Sequence, residues 1–469
     1  MTMEVLADWV SKISNVVWNG LLLYLLVGTG IVFTIRTRFV QVRKFGAGWK
    51  HLFGHFSLNG EKAGKDGMSP FQALTTAIAA QVGTDNIAGA ATALYSGGPG
   101  AIFWMWLSAF FGMSTIYGEA VLAQKYKTTD DKGHVTGGPI YYIRARFTGK
   151  FGKFLAGFFS VAIIFALGFT GNMVQANSIS VAFNTAFGAP MIVVGIICAI
   201  IAAFIFLGGV QRLASVTEKV VPIMAAIFLL GGLIVLIVRI KYVPATFGMI
   251  FKYAFAPQAI IGGGFGYAIK TAISQGATRG LFSNEAGMGS TPHAHALAHV
   301  KTPHDQGVVA MIGVFVDTFV VLTLNALVII STLYTEGGPL HECGAAAAST
   351  TLGKANLAQT AFGVVFGETA GNMFVAVCLF FFAFSTILGW NLFGKINVAY
   401  LFGKKSVLVY TILALIFIFL GTMMANDLVW ELSDMFNNLM VIPNVIALFA
   451  LTNLVTKHSN DPVHDLKKK

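Results

Sequence analysis

The segment Gln81-Val82-Gly83-Thr84-Asp85-Asn86 places two amides, a hydroxyl, a carboxylate and a glycine inside an otherwise apolar stretch. Side chains of these types hydrogen-bond polar solutes or ligate hard cations through oxygen. Facing lipid they would cost several kcal/mol, so they must turn towards protein, ion or solute. A packed kink would explain a lone Gly-Thr pair, whereas Gln, Thr, Asp and Asn together favour a binding site. A second group lies in Phe384-Ser385-Thr386-Ile387-Leu388-Gly389-Trp390. Thr386 and Trp390 are four apart and share a helix face. The hydroxyls suit sodium, and the indole offers an apolar wall with one donor. The competing reading is equally concrete: Ser and Thr bond their own helix, and Trp marks the membrane interface.

Gly168, Asn172 and Gln175 fall on one face at helical spacing, with substrate contact and interhelical hydrogen bonding as open alternatives. Glu119, Lys270, Asp317 and Glu368 are ionisable residues in or near apolar runs, and such residues are functional candidates. Asp317 is placed deepest, Glu119 and Lys270 near cytoplasmic ends, and Glu368 near the outer rim. His293, His295, His299 and His304 follow the loop Ser283-Asn284-Glu285-Ala286-Gly287-Met288-Gly289-Ser290. With no cysteine or acidic partner, capping and packing explain them better than a metal site. Cys198, Cys343 and Cys378 form neither a disulfide framework nor a zinc pattern.

These residues must be positioned by membrane-spanning helices. Hydrophobic residues are 56% of the chain and charged residues 11%, with a mean hydropathy of +0.73. Soluble domains carry about 25% charge, so lipid is the solvent for much of this surface. At about 20 apolar residues per crossing, eleven spans emerge: 16–35, 70–95, 101–125, 154–179, 191–207, 220–240, 256–281, 306–332, 359–390, 407–425 and 430–455. The ninth is overlong, which implies tilt or a helical extension. Residues 16–35 read as a retained first helix rather than a secretory leader.

The net charge of +11 comes from bases in short loops on one side, among them Arg36, Arg38, Arg43, Lys44, Arg144, Arg146, Lys404 and Lys405. The positive-inside rule puts the N-terminus outside and the C-terminus, with Lys467 to Lys469, in the cytoplasm. Nucleic acid is not an expected partner; membrane lipid is.

Two spans are interrupted: the second at residues 81–86 and the seventh at Gly262-Gly263-Gly264-Phe265-Gly266. Setting the first span aside, they open two five-helix halves of opposite orientation. Interrupted helices at matching places in inverted halves point to a transporter's midplane site. Unwound backbone there frees N–H and C=O groups that lipid cannot satisfy.

These segments resemble the alanine or glycine:cation symporter family. The likeness is carried by residues 82–89, by Gly97-Gly98-Pro99-Gly100-Ala101-Ile102-Phe103-Trp104-Met105-Trp106, and by residues 279–290, 313–318 and 384–390. It extends over nearly the whole chain. The resemblance implies the five-plus-five inverted repeat of the amino acid–polyamine–cation superfamily, an all-α leucine-transporter-like fold with an extra N-terminal helix. One membrane domain would fill residues 1–469, with a first repeat at 70–240, a second at 256–455 and a cytoplasmic tail at 456–469.

It further implies sodium-coupled import of small neutral amino acids across a bacterial cytoplasmic membrane, with sodium as co-transported ion and no cofactor. Carried over by residue, Gln81, Thr84, Asn86, Phe265, Gly266, Ile269, Thr386 and Trp390 would contact substrate, joined by Gly168 and Asn172 on the fourth span. Ala80, Gly83, Ser385 and Thr386 would serve sodium, and both hydroxyls stay candidates for the ion. Asp317 is a coupling candidate.

Asp85 departs from the family, which usually has glycine there. A carboxylate would repel a substrate carboxylate unless protonated or paired. It would bind a second cation, act as a proton-linked group, or hold the ammonium of an altered substrate. Glutamine transport and proton coupling are therefore alternatives to alanine and sodium. A channel would need no paired broken helices, and a membrane-embedded enzyme would need a nucleophile–base or metal constellation that the spans lack.

Overall fold

The computed structural model describes residues 23–53, 67–129, 133–255, 265–341, 356–424 and 426–464. Apart from a two-residue hairpin (β1, Thr128–Thr129; β2, Val135–Thr136), regular structure among the described residues is helical. Six helices are long and apolar enough to cross a membrane, and four shorter apolar helices accompany them. Large aliphatic and aromatic side chains such as Ile200, Phe204, Leu207, Leu230 and Ile237 are exposed, as expected of surfaces solvated by lipid chains.

The described part of the first span is α1 (Leu23–Arg36), followed by α2 (Val40–Arg43) and α3 (Phe45–Phe53). Helix α4 (Pro70–Gln81) starts at a capping box: Gln72 N–H donates to Ser69 Oγ and Ser69 N–H to Gln72 Oε1, both at 3.1 Å. The helix stops at Val82. A π-helical turn covers Asp85–Gly89, and α5 (Ala90–Gly97) completes the span. The interruption read from the sequence at residues 81–86 is therefore present.

Helix α6 (Gly100–Lys125) is the central post, buried over most of its length. It precedes α7 (Pro139–Arg146), α8 (Gly149–Ile163), a π segment (Ile164–Gly171), α9 (Asn172–Phe187), α10 (Met191–Leu207), α11 (Gly209–Val238) and α12 (Val243–Phe255). Next come α13 (Phe265–Asn284), the short α14 (Pro292–Ala296), α15 (Pro303–Val314), a π segment (Phe315–Leu322) and α16 (Thr323–Leu333). The last are α17 (Leu357–Phe366), α18 (Glu368–Phe402), α19 (Ser406–Gly421) and α20 (Asn426–His458).

Two groups emerge from the packing. Helices α13, α15 and α1 lie on α6, while α9, α10, α18 and α19 lie on one another. Glycines let α13 approach α6 closely: a Cβ on Gly276 would stand 2.2 Å from the Ala101 carbonyl oxygen, and one on Gly280 2.6 Å from Ser108 Oγ.

Two expectations need correction. The ninth span is two helices, α17 and α18, separated at Gly367 (φ 84°), a left-handed angle that glycine adopts without cost. Helix α18 also continues to Phe402, so Ser385 to Trp390 lie in its middle rather than at its end.

The seventh span is described only from residue 265 onward. Residues 262–264 lie outside the described residues, and Phe265 and Gly266 are already helical. The described unwinding falls at 285–291, between α13 and α14. Depth along α6 locates this stretch inside the bundle. Gly276 meets Ala101, Gly112 meets Ala286, Gly287 meets Thr115, and the carbonyl of His295 meets Gln124. The segment that reads as a loop end is thus part of the core.

Candidate functional site

Two unwound stretches face each other. In the first, Gly83 N–H donates to Asn86 Oδ1 at 2.9 Å, and Asn86 Nδ2 donates to Asp317 Oδ1 at 2.7 Å. Asn325 Nδ2 donates to the carbonyls of Asn86 and Ile87 at 2.9 and 3.0 Å. Thr84 gives both its N–H (3.1 Å) and its hydroxyl (2.7 Å) to Gln175 Oε1. Backbone groups released by the broken helix are thereby met by side chains from α9 and α16, as a low-dielectric interior requires.

In the second stretch Glu285 has φ 56°, and Gly287 and Gly289 have φ 84° and 83°. A left-handed angle is rare for a non-glycine residue and costs of order 1 kcal/mol or more. Hydrogen bonds hold it. Glu285 Oε1 accepts the Trp390 indole N–H, and its Oε2 accepts from Ser290 Oγ at 2.6 Å. Glu119, wholly buried on α6, accepts the N–H groups of Gly287 and Gly289 at 2.9 and 3.0 Å and Asn444 Nδ2 at 2.7 Å. Gln81 Nε2 bridges the two stretches by donating to the Asn284 carbonyl at 2.8 Å. Asp317 joins them again, because Ser283 Oγ donates to both its oxygens at 3.0 Å and Thr318 Oγ1 to Oδ2 at 2.7 Å. The three π-helical segments among the described residues pass close to this junction or its flanking helix, where such turns commonly mark function.

Helix α18 supplies the remaining wall. Thr386 Oγ1 donates to the carbonyls of Ala79 (2.9 Å) and Phe382 (3.1 Å), and Ser385 Oγ to that of Phe382 (2.8 Å). A Cβ on Gly83 would stand 2.4 Å from Thr386 Oγ1, and one on Gly389 2.9 Å from Ala80 Cβ. Two hydroxyls thus lie against the last turn of α4, whose final carbonyls have no intrahelical partner. An all-oxygen set of this kind suits a hard cation such as sodium.

Beyond the junction lies a cavity of about 10 Å³, roughly one water's space, lined by Asp85, Glu285, Met288, Trp390, Asp434 and Asn437 among others. Arg279 Nη2 is 3.6 Å from Asp434 Oδ2, and its guanidinium lies 5.3 Å from the centroid of the Trp430 ring.

The structure therefore brings together Ala80, Gln81, Gly83, Thr84, Asp85, Asn86, Asp317, Ser385, Thr386 and Trp390. Gly168 is turned to α19 instead. A Cβ on Gly168 would meet the Tyr410 hydroxyl at 2.7 Å, and Asn172 Nδ2 donates back to the Gly168 carbonyl at 2.9 Å. The glycine makes room for a tyrosine of α19. Ile269 lies fifteen residues before Asn284 on α13, about 22 Å along the helix axis, and so away from the junction. The side chains of Phe265 and Gly266 are outside the described residues. Lys270 and Glu368 are exposed.

Sequence reasoning misses Glu285, placed in a loop, and leaves Gln175 open between substrate contact and interhelical bonding; in the structure its amide oxygen accepts from Thr84. The histidines are taken up in hydrogen bonds: His293 to the Ser290 carbonyl and Asn397, His295 to Gln306. Burial pushes His293 down to about 4, against the pull of the Ser290 carbonyl, and His295 down to about 3. No group of three or more His, Cys, Asp or Glu among the described residues is placed to hold a metal ion.

Residues 3–469 match the model of the sodium:alanine symporter family. The chain belongs to the sodium:alanine symporter family. It is 41% identical over 456 residues to the sodium/alanine symporter AgcS of Methanococcus maripaludis, covering 96% of this chain and 97% of that protein. It is 37% identical to the amino-acid carrier protein AlsT of Bacillus subtilis, covering 96% and 90%. The probable sodium/glutamine symporter GlnT of the same organism is 36% identical, with 96% and 90% covered. Among solved structures, a manganese transporter of Eremococcus coleocola superposes with a TM-score of 0.51 at 13% identity, covering 82% of this chain and 76% of that one. That likeness concerns the fold alone. The chain is thus a multi-pass membrane protein of a family that couples amino acids to sodium.

Proposed function

We propose that this chain imports small neutral amino acids, alanine and glycine, together with sodium, by alternating access across a bacterial cytoplasmic membrane. The observation that carries the reading is the junction itself: two unwound stretches tied by Gln81 and Asp317, with the Ser385 and Thr386 hydroxyls against the end of α4. Sodium would sit among these hydroxyls and the carbonyls of Ala80 and Gly83. The amino acid would sit beside it, against Gln81, Thr84, Asn86, Trp390 and Glu285. Asp317 would couple the two, since it holds Asn86 of one stretch and Ser283 of the other.

Thr84, Asn86, Ser283 and Asp317 are hydrogen-bonded within the junction, and the adjoining cavity holds about one water, too little for an amino acid. Entry must therefore part the stretches, and sodium would favour that arrangement by replacing hydrogen bonds with ligand bonds. The repeats at 70–240 and 256–455 would rock about the junction, α8–α9, α10, α18 and α19 moving against the broken-helix bundle, with the N-terminus outside and the tail in the cytoplasm. The whole chain would act as one membrane domain without covalent chemistry.

Uptake by purified protein in liposomes tests this. Labelled alanine should accumulate above equilibrium only under an inward sodium gradient, and competition by unlabelled alanine, glycine, serine and glutamine should rank the substrates. Passive equilibration without coupling would refute the reading. Preference for glutamine would transfer the substrate to that of the GlnT relative.

A further inference from the structure

Past the end of α20 the chain turns back and is held by other elements. Asp461 N–H closes the turn on the His458 carbonyl at 3.0 Å, and the Asp461 carboxylate lies 2.8 Å from His458 Nδ1. The Asp461 carbonyl accepts from Lys44 Nζ at 3.1 Å. Further on, His464 N–H donates to Asp305 Oδ1 at 2.9 Å, and the His464 ring nitrogen Nδ1 stands 3.6 Å from Asp305 Oδ2. Between these two anchors Val463 packs against the hydrophobic core.

Asp305 divides its two oxygens between two tasks. Oδ2 closes the capping box of α15 by accepting Thr302 N–H at 3.0 Å and Thr302 Oγ1 at 2.9 Å, so Oδ1 is left for the His464 amide. The residue is buried, and a hydrogen bond to a carboxylate is stronger than a neutral one. Lys44 stands at the head of α3, which lies tightly on α15: a Cβ on Gly48 would come 2.6 Å from the Val308 carbonyl oxygen. Lys44 and Asp305 therefore belong to one body, which α15 joins to α4 and α6. Helix α20 belongs mainly to the other group, against α8 and the π segment Ile164–Gly171. Residues 459–464 thus cross from one group to the other, on the face that the basic loops assign to the cytoplasm.

We propose that residues 459–464 are a releasable strap. Docked on Lys44 and Asp305, the strap holds the inner end of α20 against α3 and α15 and keeps the inner path shut; undocked, it lets the two groups part. The contact is of a kind that is made and broken. Its hold is a few polar contacts and one half-buried valine, at a surface where water can take their place, whereas the bonds of the junction are buried. Docking also orders the backbone of the whole segment, an entropy cost that offsets much of what so few bonds contribute. The inference rests on the alternating-access reading for its consequence, while docking itself is measurable apart from transport.

A cysteine pair tests this in full-length protein whose Cys198, Cys343 and Cys378 are replaced by alanine. The side chains of Asp305 and His464 meet, so Asp305→Cys/His464→Cys should close a disulfide on mild oxidation. In liposomes, sodium-driven alanine uptake should stop in the oxidised pair and return on reduction. The reduced pair, which lacks the carboxylate, should match or exceed the parent. Deleting residues 460–469 should raise the maximal uptake rate about tenfold, the factor that one charge-assisted hydrogen bond carries at its low end. Uptake that continues unchanged with the disulfide formed, as checked by loss of free thiol, overturns the proposal. So does a deletion variant that melts like the parent yet transports more slowly, which would make the segment a support. Docking is read separately in detergent: the thiol of Val463→Cys should react with a maleimide more slowly than the same thiol in Lys44→Ala/Val463→Cys. Equal rates overturn the docked strap whether or not the protein transports. Failure of the parent to accumulate alanine would remove the transport reading alone and leave the strap to be decided by these labelling rates.

Discussion

Replacing Glu119 by Gln changes one atom and should loosen the second unwound stretch. The carboxylate is wholly buried and accepts three hydrogen bonds, from Gly287 N–H, Gly289 N–H and Asn444 Nδ2. An amide in the same place keeps one acceptor oxygen and turns an NH2 group towards a backbone N–H. One backbone donor is then stranded, and the new donor group has no acceptor in the network. At about 1–3 kcal/mol for each of the two stranded buried groups, the cost is about 2–6 kcal/mol. Such a loss should lower the thermal unfolding midpoint in detergent by about 4 °C or more, at roughly 2 °C per kcal/mol. Tryptophan fluorescence during a temperature ramp reads it, and Glu119→Ala, which strands all three donors, should fall further. A midpoint for Glu119→Gln within about 1 °C of the parent would refute the claim that this carboxylate holds the stretch at Gly287 and Gly289.

Gly83→Ala places a methyl 2.4 Å from Thr386 Oγ1 and must drive the hydroxyl aside. The apparent sodium affinity in uptake assays should weaken by about 5–150-fold, the equivalent of 1–3 kcal/mol, and an unchanged sodium curve would count against the ion site. Gly171→Ala sets a methyl 2.6 Å from the Trp390 ring, so it should raise the KM for alanine more than that for sodium; equal effects on both would contradict Trp390 as an amino-acid contact. His293 and His295 titrate lower when folded, about 4 and about 3 against an ordinary 6.5. The unfolded chain therefore binds more protons as pH falls below about 6.5, and stability is full above that value and declines towards pH 4. Melting temperatures measured from pH 7.5 to 5 should show this fall, flattened in His293→Asn/His295→Gln; an unflattened profile would place the titration elsewhere.

The first broken helix was legible in the sequence because four polar types interrupt an apolar run at Gln81 to Asn86. The second, read at Gly262 to Gly266, lies mostly outside the described residues, while an unwound stretch that is described falls at 285–291. Hydropathy separates spans from loops, yet an unwound stretch buried in a bundle and a surface loop are made of the same residues. Asn284 to Ser290 therefore read as a loop. Glu285 was lost with it.

The π-helical segment Ile164–Gly171 explains another miss. An extra residue per turn rotates the turns after it, so Gly168 faces Tyr410 while Gln175 reaches Thr84, although α-helical spacing puts both on one face. Splitting of the ninth span at Gly367 depended on one left-handed glycine, indistinguishable in sequence from the glycines that aid helix packing. Ser385, Thr386 and Trp390 stand out in the sequence by residue type, but their place in mid-helix follows from α18 running on to Phe402.

The central claim is that sodium, held between α4 and α18, prepares the junction for a small amino acid. Alanine binding to the purified protein, measured over a range of sodium concentrations, tests it most directly. The account predicts that alanine affinity rises with sodium, that sodium affinity rises equally with alanine, and that Ser385→Ala/Thr386→Val removes this dependence. Alanine binding that is the same with and without sodium in the parent protein would contradict it.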